Sequence, residues 1–311
     1  MAYPYKCTTQ IPPLEYTEFD GAKFAHVTWP SSTTAATTHG RVLIVHGFCE
    51  YTQLNHRFMD MLAQRGYESF MFDQRGSGRT SPGKLRGHTD DQHVFSDLEY
   101  FVSLNLEQCS ERRIPLIMFG HSMGGAITLA YAFKGKRREE IAAYVASAPL
   151  LRLHPHSQPS WIVQKMAPLL ARMLPGFAID TKLDLEGVTS DPAYRKFLQQ
   201  DKPLSTPLVG TFRQIYDFLE RGRVLLEDPE GQVASGFVRD KPILLIHGDG
   251  DTINDPKASK QFVENCKAGD KTLRVAKGAR HSVLSLERDE IMQREIEWLV
   301  EWLQSHVSAS S

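Results

Sequence analysis

The sequence has few cysteines, no long apolar run and almost no net charge. Its four cysteines are far apart and form no C-x-x-C pair, so neither a disulfide framework nor a metal site is expected. They are predicted to be reduced thiols of a cytoplasmic protein: Cys7, Cys49, Cys109 and Cys266. No stretch reaches 18 consecutive apolar residues, and the first residues lack the apolar segment of a signal peptide. Secretion and membrane spanning are therefore not expected.

The charge balance argues against one large class of partners. Thirty-six Lys and Arg residues against 37 Asp and Glu residues give a formal net charge of -1. A nucleic-acid binder that depends on a strong positive field is therefore not expected. With 41% hydrophobic and 10% aromatic residues, the 311-residue chain can bury a substantial core. We expect a globular protein whose oligomeric state the sequence leaves open.

Apolar strands alternate with helical segments through most of the chain. Strand patterns lie at 42–45, 68–72, 116–119, 141–147, 242–247 and 272–275. This alternation predicts an α/β fold with a mostly parallel central sheet and helices on both faces. An Asp20-Gly21 turn within the alternating segment from Glu15 to Trp29 predicts an antiparallel hairpin at an edge of the sheet.

The alternation stops between residues 150 and 239. This segment is punctuated by proline, mostly helical in pattern and without a convincing strand. We interpret it as a helical cap inserted into a core that consists of residues 1–149 and 240–311.

A G-x-S-x-G pattern lies between a predicted strand and a predicted helix. Ser122 is at its centre, flanked by Gly120 and Gly124. In this motif the serine occupies a strained turn that exposes its hydroxyl, and the glycines let neighbouring backbone approach closely. We predict that Ser122 is a nucleophile; the alternative is a purely structural glycine-rich turn.

A serine nucleophile needs a base, and the base needs a group that orients it. Among twelve histidines, His281 is the best placed, because it follows the last core strand in a loop at the carboxyl edge of the sheet. His46 and His247 each end a strand before a glycine, and His121 is expected to point away from the serine.

The acid is expected in the loop after the strand at 242–247. Asp251 fits the chain order Ser, Asp, His that α/β-hydrolases use. Asp249 and Asp255 also lie in this loop, and both remain alternatives. If they are not catalytic, Asp249 would stabilise the turn by accepting backbone N–H bonds, and Asp255 would cap the next helix.

Two backbone amides are predicted to bind the oxyanion. One belongs to Met123, the residue after the nucleophile. The second is assigned to Phe48, in a loop where Gly47 leaves room for the backbone to face the site.

Several short motifs together resemble the monoacylglycerol lipase family of serine α/β-hydrolases, most closely its fungal members. The motifs are HG at 46–47, DQRGSG at 73–78, GHSMGG at 120–125, HGDGD at 247–251, GARH at 278–281 and SDPAY at 190–194. The resemblance implies Ser122, Asp251 and His281 as the catalytic triad, the Phe48 and Met123 amides as the oxyanion hole, and no cofactor. The chain departs from the family at Phe48 and Cys49, where related enzymes often carry Gly or Ala.

The resemblance also gives the cap a role, as the wall of an acyl-chain tunnel and as a surface that docks on lipid. The residues expected to face the acyl chain or the membrane are Trp161, Ile162, Met166, Leu169, Leu170 and Met173. This stretch is apolar nearly all round, and Lys165 and Arg172 are able to snorkel at an interface. The alternative is a helix pair buried against the core, kinked at Pro168.

The implied reaction is hydrolysis of a monoacylglycerol to glycerol and a fatty acid through an acyl-Ser122 intermediate. The implied site of action is the surface of the endoplasmic reticulum or of lipid droplets. Two alternatives remain: a lysophospholipase or other fatty acyl ester hydrolase, and a ligand-binding protein that keeps the fold without catalysis. The sequence does not fix acyl-chain length or regiochemistry.

Overall fold

The computed structural model describes residues 2–33, 38–202, 204 and 206–307. Eight strands form one sheet in the order β1-β2-β4-β3-β5-β6-β9-β10. Every neighbouring pair from β4 to β10 is parallel, and β1 and β2 pair antiparallel at one edge. The strands are β1 Glu15–Phe19, β2 Ala22–Trp29, β3 Gly40–Val45, β4 Tyr67–Phe72, β5 Leu116–His121, β6 Ala143–Ser147, β9 Ile243–Gly248 and β10 Lys271–Ala276. The predicted α/β fold and edge hairpin are confirmed.

Helices cover both faces of the sheet. In β3, Leu43 and Val45 join the apolar cluster that contains α2, α3 and α9, whereas Val42 and Ile44 join the cluster that contains α1 and α10. Strands buried on both faces read as continuous apolar runs, which is why the sequence revealed them. The core helices are α1 His56–Ala63, α2 Asp91–Arg112, α3 Met123–Lys134, α9 Pro256–Asn265 and α10 Asp289–His306.

The segment 150–239, called the cap segment below, connects β6 to β9. Its helices are α4 Trp161–Met173, α5 Leu185–Val188, α6 Pro192–Gln200, α7 Phe212–Glu227 and α8 Gln232–Gly236. It also contains an antiparallel pair of three-residue strands, β7 Ala178–Asp180 and β8 Val209–Thr211. The expectation of a cap without strands was wrong, because strands this short, paired across about thirty residues, leave no readable alternation. The boundaries at 150 and 239 stay predictions.

The parallel strands bring four loops to one edge. The loop after β3 contains Phe48, β5 ends at the residue before Ser122, and the loops after β9 and β10 contain Asp251 and His281. The carboxyl ends of parallel strands are where open α/β sheets place their sites. Within the described ranges, none of the helices combines the length and apolar character needed to cross a bilayer.

Candidate active site

Ser122 lies at the turn between β5 and α3 in a strained conformation. Its φ of 54° and ψ of -117° fall where an L-residue rarely lies. Its N–H donates to the Ser147 carbonyl at 2.9 Å, and its own carbonyl accepts from Ala126 and Leu150 at 3.1 and 2.9 Å. These bonds hold the turn although it is strained, as expected for a nucleophile elbow.

The two flanking glycines are required by close backbone contacts. A Cβ atom at Gly120 would lie 2.1 Å from the Gly124 carbonyl oxygen, and one at Gly124 would lie 2.0 Å from the Val45 oxygen. Gly47 is also close to the elbow, since its Cβ would lie 3.1 Å from that of Ser122. The predicted supporting roles of these glycines therefore have a steric basis.

His281 and Asp251 form a buried pair beside the elbow. His281 Nδ1 lies 2.8 Å from Asp251 Oδ2, and both side chains are almost completely inaccessible. Burial by itself raises the pKa of Asp251, but the charge of His281 and hydrogen bonds from His247 and His281 outweigh it and lower that pKa below its ordinary value. Asp251 is thus a carboxylate at neutral pH and fixes the Nδ1–H tautomer of His281.

The other two aspartates of this loop have structural contacts. Asp249 is exposed and accepts the Gly278 N–H at 2.8 Å, which joins the loops after β9 and β10. Asp255 accepts the Lys257 N–H at 2.9 Å at the start of α9 and pairs with Arg152 at 2.8 Å. Of the three candidates, Asp251 is the one that the structure places against His281.

The loop that contains His281 is bonded to the cap segment. The His281 N–H donates to the Gly187 carbonyl at 3.2 Å, and the Ser282 N–H donates to the Val188 carbonyl at 2.9 Å. Both acceptors belong to α5, and the Arg280 guanidinium donates to the Glu186 carbonyl in the same helix. The position of His281 therefore depends on α5.

His46 orients the loop that contains Phe48. The Gln74 N–H donates to His46 Nε2 at 2.8 Å, so the ring hydrogen is on Nδ1, which donates to the Gly47 carbonyl at 2.8 Å. In a trans peptide the carbonyl and the following N–H point in opposite directions. The bond to the Gly47 carbonyl therefore fixes the direction of the Phe48 N–H.

The predicted orientation of His121 was wrong, and Glu50 was not predicted as part of the site. The ring of His121 does not point away, because its centroid lies 4.8 Å from that of His281. Its Nε2 lies 3.3 Å from Glu50 Oε1, and Glu50 Oε2 accepts the Gly47 N–H at 3.0 Å. Burial lowers the pKa of His121 to about 4. A sequence pattern could have indicated Glu50: it is the one carboxylate in the short loop after an apolar strand, three residues after the His-Gly pair.

A cavity of about 1000 Å³ lies in front of Ser122 and His281. Phe48 also lines it, with its ring centroid 5.5 Å from that of Phe218 in α7. The remaining wall is mainly apolar and comes largely from the cap segment, including Leu153, Leu170, Ile179, Leu183, Leu208, Phe212 and Ile215. An apolar cavity with a few convergent polar groups is the usual form of a site for a small lipophilic ligand.

Helix α4 presents different faces to the cavity and to solvent. Leu170 is half-buried and lines the cavity. The other five apolar residues predicted to face acyl chain or membrane are exposed: Trp161, Ile162, Met166, Leu169 and Met173. A helix pair buried against the core, the alternative, does not describe α4, because Ala171 is its one fully buried residue.

Comparison with known proteins places the chain in a family. A model of the serine aminopeptidase S33 family matches residues 36–289. A monoglyceride lipase of Saccharomyces cerevisiae is 50% identical over 309 residues, which cover 99% of this chain and 98% of that protein. The chain belongs to the monoglyceride lipase family of serine hydrolases. The family and fold expected from the sequence motifs are thereby confirmed.

Solved structures support the same assignment. The crystal structure of a soluble variant of the Saccharomyces cerevisiae monoglyceride lipase, in complex with a substrate analogue, aligns with a TM-score of 0.95 at 50% identity. The alignment covers 99% of this chain and 100% of that one. A monoacylglycerol lipase from Paleococcus ferrophilus aligns with a TM-score of 0.74 at 27% identity, over 91% and 99% of the two chains.

Proposed function

We propose that the protein hydrolyses monoacylglycerols to glycerol and fatty acid, with Ser122, His281 and Asp251 as the catalytic triad. The observation that carries the proposal is that Ser122 and His281 line one large apolar cavity while Asp251 lies 2.8 Å behind His281. The substrates named for the family members above support the same reaction. The protein is accordingly a carboxylic ester hydrolase that needs neither metal nor cofactor for the proposed steps.

Acylation begins with the acyl chain in the apolar cavity and the ester carbonyl at Ser122. His281 Nε2 takes the hydroxyl proton as the Ser122 oxygen attacks the carbonyl carbon. Asp251 accepts the Nδ1–H and stabilises the imidazolium, and the Phe48 and Met123 amides bind the oxyanion. Collapse of the intermediate breaks the ester bond, and the glycerol oxygen leaves with the proton from His281.

Deacylation repeats these steps with water. His281 removes a proton as the water oxygen attacks the acyl carbon, and the proton then returns to the Ser122 oxygen as the acyl–serine bond breaks. The fatty acid leaves and the free enzyme is regenerated. Each buried methylene of the acyl chain contributes about 0.8 kcal/mol to binding along an apolar wall.

Glu50 favours a neutral alcohol over an anionic headgroup. It lines the same cavity as Ser122 and is fixed there by the Gly47 N–H. A carboxylate in a partly buried site repels a phosphodiester, because the repulsion between like charges is screened weakly where water is excluded. Arg152, Lys182 and Arg223 also line the cavity, so the argument applies to a headgroup that lies beside Glu50.

The exposed face of α4 supports peripheral contact with a lipid surface. Six large apolar side chains are exposed on one helix, Val163 in addition to the five named above, and Lys165 and Arg172 are exposed beside them. Apolar residues with flanking cations suit a helix that lies in the headgroup region of a bilayer. The surfaces that we propose are those of the endoplasmic reticulum and lipid droplets, approached from the cytoplasm.

The decisive experiment measures glycerol release from a long-chain monoacylglycerol by the wild type and by Ser122→Ala, each checked for folding. We expect release by the wild type alone. Wild-type cleavage of lysophosphatidylcholine in preference to monoacylglycerol would establish the alternative lysophospholipase. A wild type that cleaves neither substrate, and does not react with a fluorophosphonate probe, would favour the non-catalytic alternative.

A further inference from the structure

The carboxylate of Asp251 accepts four hydrogen bonds. Its Oδ1 accepts the backbone N–H groups of Ile253 and Asn254 at 2.8 and 3.0 Å. Its Oδ2 lies 2.8 Å from His281 Nδ1 and 3.0 Å from Nε2 of a second histidine, His247. Four donors occupy all the lone-pair positions of a carboxylate, so the side chain cannot rotate without losing a bond.

Hydrogen-bond partners settle which nitrogen of His247 carries the proton. An ionised carboxylate only accepts, so the Nε2 atom that faces Asp251 carries a hydrogen. The Nδ1 atom lies 2.7 Å from the Ser259 hydroxyl in α9, which donates to a neutral ring and accepts from a charged one. In both protonation states His247 is a donor to the triad carboxylate. His247 and Ser259 are both buried.

We propose that His247 is a positioning residue of the triad, whose Nε2–H holds Asp251 Oδ2 at the point from which it binds His281. The inference rests on the triad proposed above. It assigns a function to the histidine of the HGDGD motif, which is the penultimate residue of β9.

Other titratable groups near this chain of bonds are few. His281 faces Asp251 from the loop after β10, and His121, at the end of β5, faces His281. Glu50, in the loop after β3, faces His121. None of these groups replaces the donor that His247 supplies to Asp251 Oδ2.

The test compares two amide substitutions, His247→Gln and His247→Asn. The longer Gln side chain places its NH₂ group near the original Nε2 and can reach Asp251, whereas the amide of Asn ends near the original Nδ1. We expect kcat/KM of the Asn variant to be about tenfold below that of the Gln variant, which is the lower end of the loss seen when a metal-ligating residue loses its hydrogen-bond partner. A short soluble ester and a monoacylglycerol are both assayed.

A pH profile separates positioning from packing. Without the donor, the negative charge of Asp251 is less stabilised and holds the proton on His281 more tightly. The acid limb of the kcat/KM profile should therefore move to higher pH in His247→Asn and stay near the wild-type position in His247→Gln. Equal kcat/KM values and equal acid limbs in the two variants would overturn the proposal.

If neither variant folds, a measurement on the wild-type protein can still test the proposal. Imidazole ¹H–¹⁵N spectra of ¹⁵N-histidine-labelled protein report the protonated nitrogen of His247, assigned through its shift in Ser259→Ala. We expect a protonated Nε2, and an unprotonated Nε2 would overturn the proposal. If the short ester is cleaved and monoacylglycerol is not, the substrate proposal fails while this test still stands.

Discussion

His46 Nδ1 lies 2.8 Å from the Gly47 carbonyl oxygen, and the Gln74 N–H that binds the other ring nitrogen makes Nδ1 the donor. Gln74 also binds the His46 carbonyl through its side-chain amide at 2.7 Å. The direction of the Phe48 N–H is thus set by a side chain two residues earlier. The proposed oxyanion hole is therefore preorganised before substrate binds. Preorganised donors stabilise the transition state without a cost for reorientation during the reaction.

Replacing His46 tests this support directly. In His46→Leu the Gly47 carbonyl loses the shorter of its two hydrogen bonds and keeps only the one from the Glu50 N–H at 3.3 Å, so the Phe48 amide is held less firmly towards the oxyanion. Loss of one oxyanion donor costs about 100- to 1000-fold in kcat, and we expect a loss of at least about tenfold for a misdirected one. Steady-state hydrolysis of a short ester measures it, with KM little changed. A wild-type kcat in the folded variant would contradict the assignment.

Substitution of Gly124 is expected to damage both stability and activity. In Gly124→Ala the new Cβ meets the Val45 and His46 carbonyl oxygens at 2.0 and 2.5 Å, so β3 and the loop behind it must shift. Overpacking of this kind costs about 1–3 kcal/mol or more. Urea denaturation measures it. Gly176→Ala is the matched control, because its Cβ would make only an ordinary contact with His88 at 3.5 Å.

The two faces of α4 should be separable by mutation. Leu169→Ser combined with Met173→Ser removes exposed apolar surface, so we expect weaker sedimentation with liposomes and unchanged hydrolysis of a short soluble ester. Leu170→Ser alters the cavity wall instead. It should raise KM for long-chain monoacylglycerol presented in detergent and leave liposome binding close to wild type. Equal losses of binding and short-ester hydrolysis in the double variant would indicate damaged packing.

His121 makes the folded state sensitive to acid. Its pKa is about 4 when folded, against 6.5 ordinarily, so the unfolded chain binds the proton first as pH falls. The contribution of His121 to the free energy of unfolding is fully present above about pH 6.5. It is lost as the pH falls towards 4, and the loss is on the order of 2–3 kcal/mol. Burial also lowers the pKa of His56 to about 4, which adds a decline of the same sign.

Chemical denaturation at pH 7 and pH 4.5 checks this prediction. The free energy of unfolding should fall less in His121→Asn than in the wild type, while the contribution of His56 remains in both. An identical decline in the two proteins would show that His121 is not the sensitive group.

Sequence patterns predicted the parts of the site that depend on chain order. Ser122, Asp251 and His281 each follow a strand of the parallel part of the sheet, and parallel topology brings the carboxyl ends of such strands to one edge. The glycines around Ser122 could be predicted because only glycine, which has no Cβ, fits where two backbone segments approach closely. The structure places all three triad candidates as the strand order implied, and their roles stay predictions.

The contacts that support these residues could not be predicted in the same way. The bond from His247 to Asp251 depends on which direction a buried ring faces, and sequence spacing does not specify that direction. His121 was expected to point away for the same reason. In α4, an apolar pattern nearly all round gave no indication that Leu170 lines the cavity while Leu169 is exposed. Which face is covered depends on tertiary packing.

The bonds between the His281 loop and α5 have a consequence for engineering. The carbonyls of Gly187 and Val188 hold the backbone of the loop that presents the proposed base, although they lie in the cap segment and not in the core. A chimaera that exchanges residues 150–239 wholesale would therefore also replace part of the scaffold of its own base. Grafts that retain residues 185–188 of the host should keep turnover while acquiring the chain-length preference of the donor.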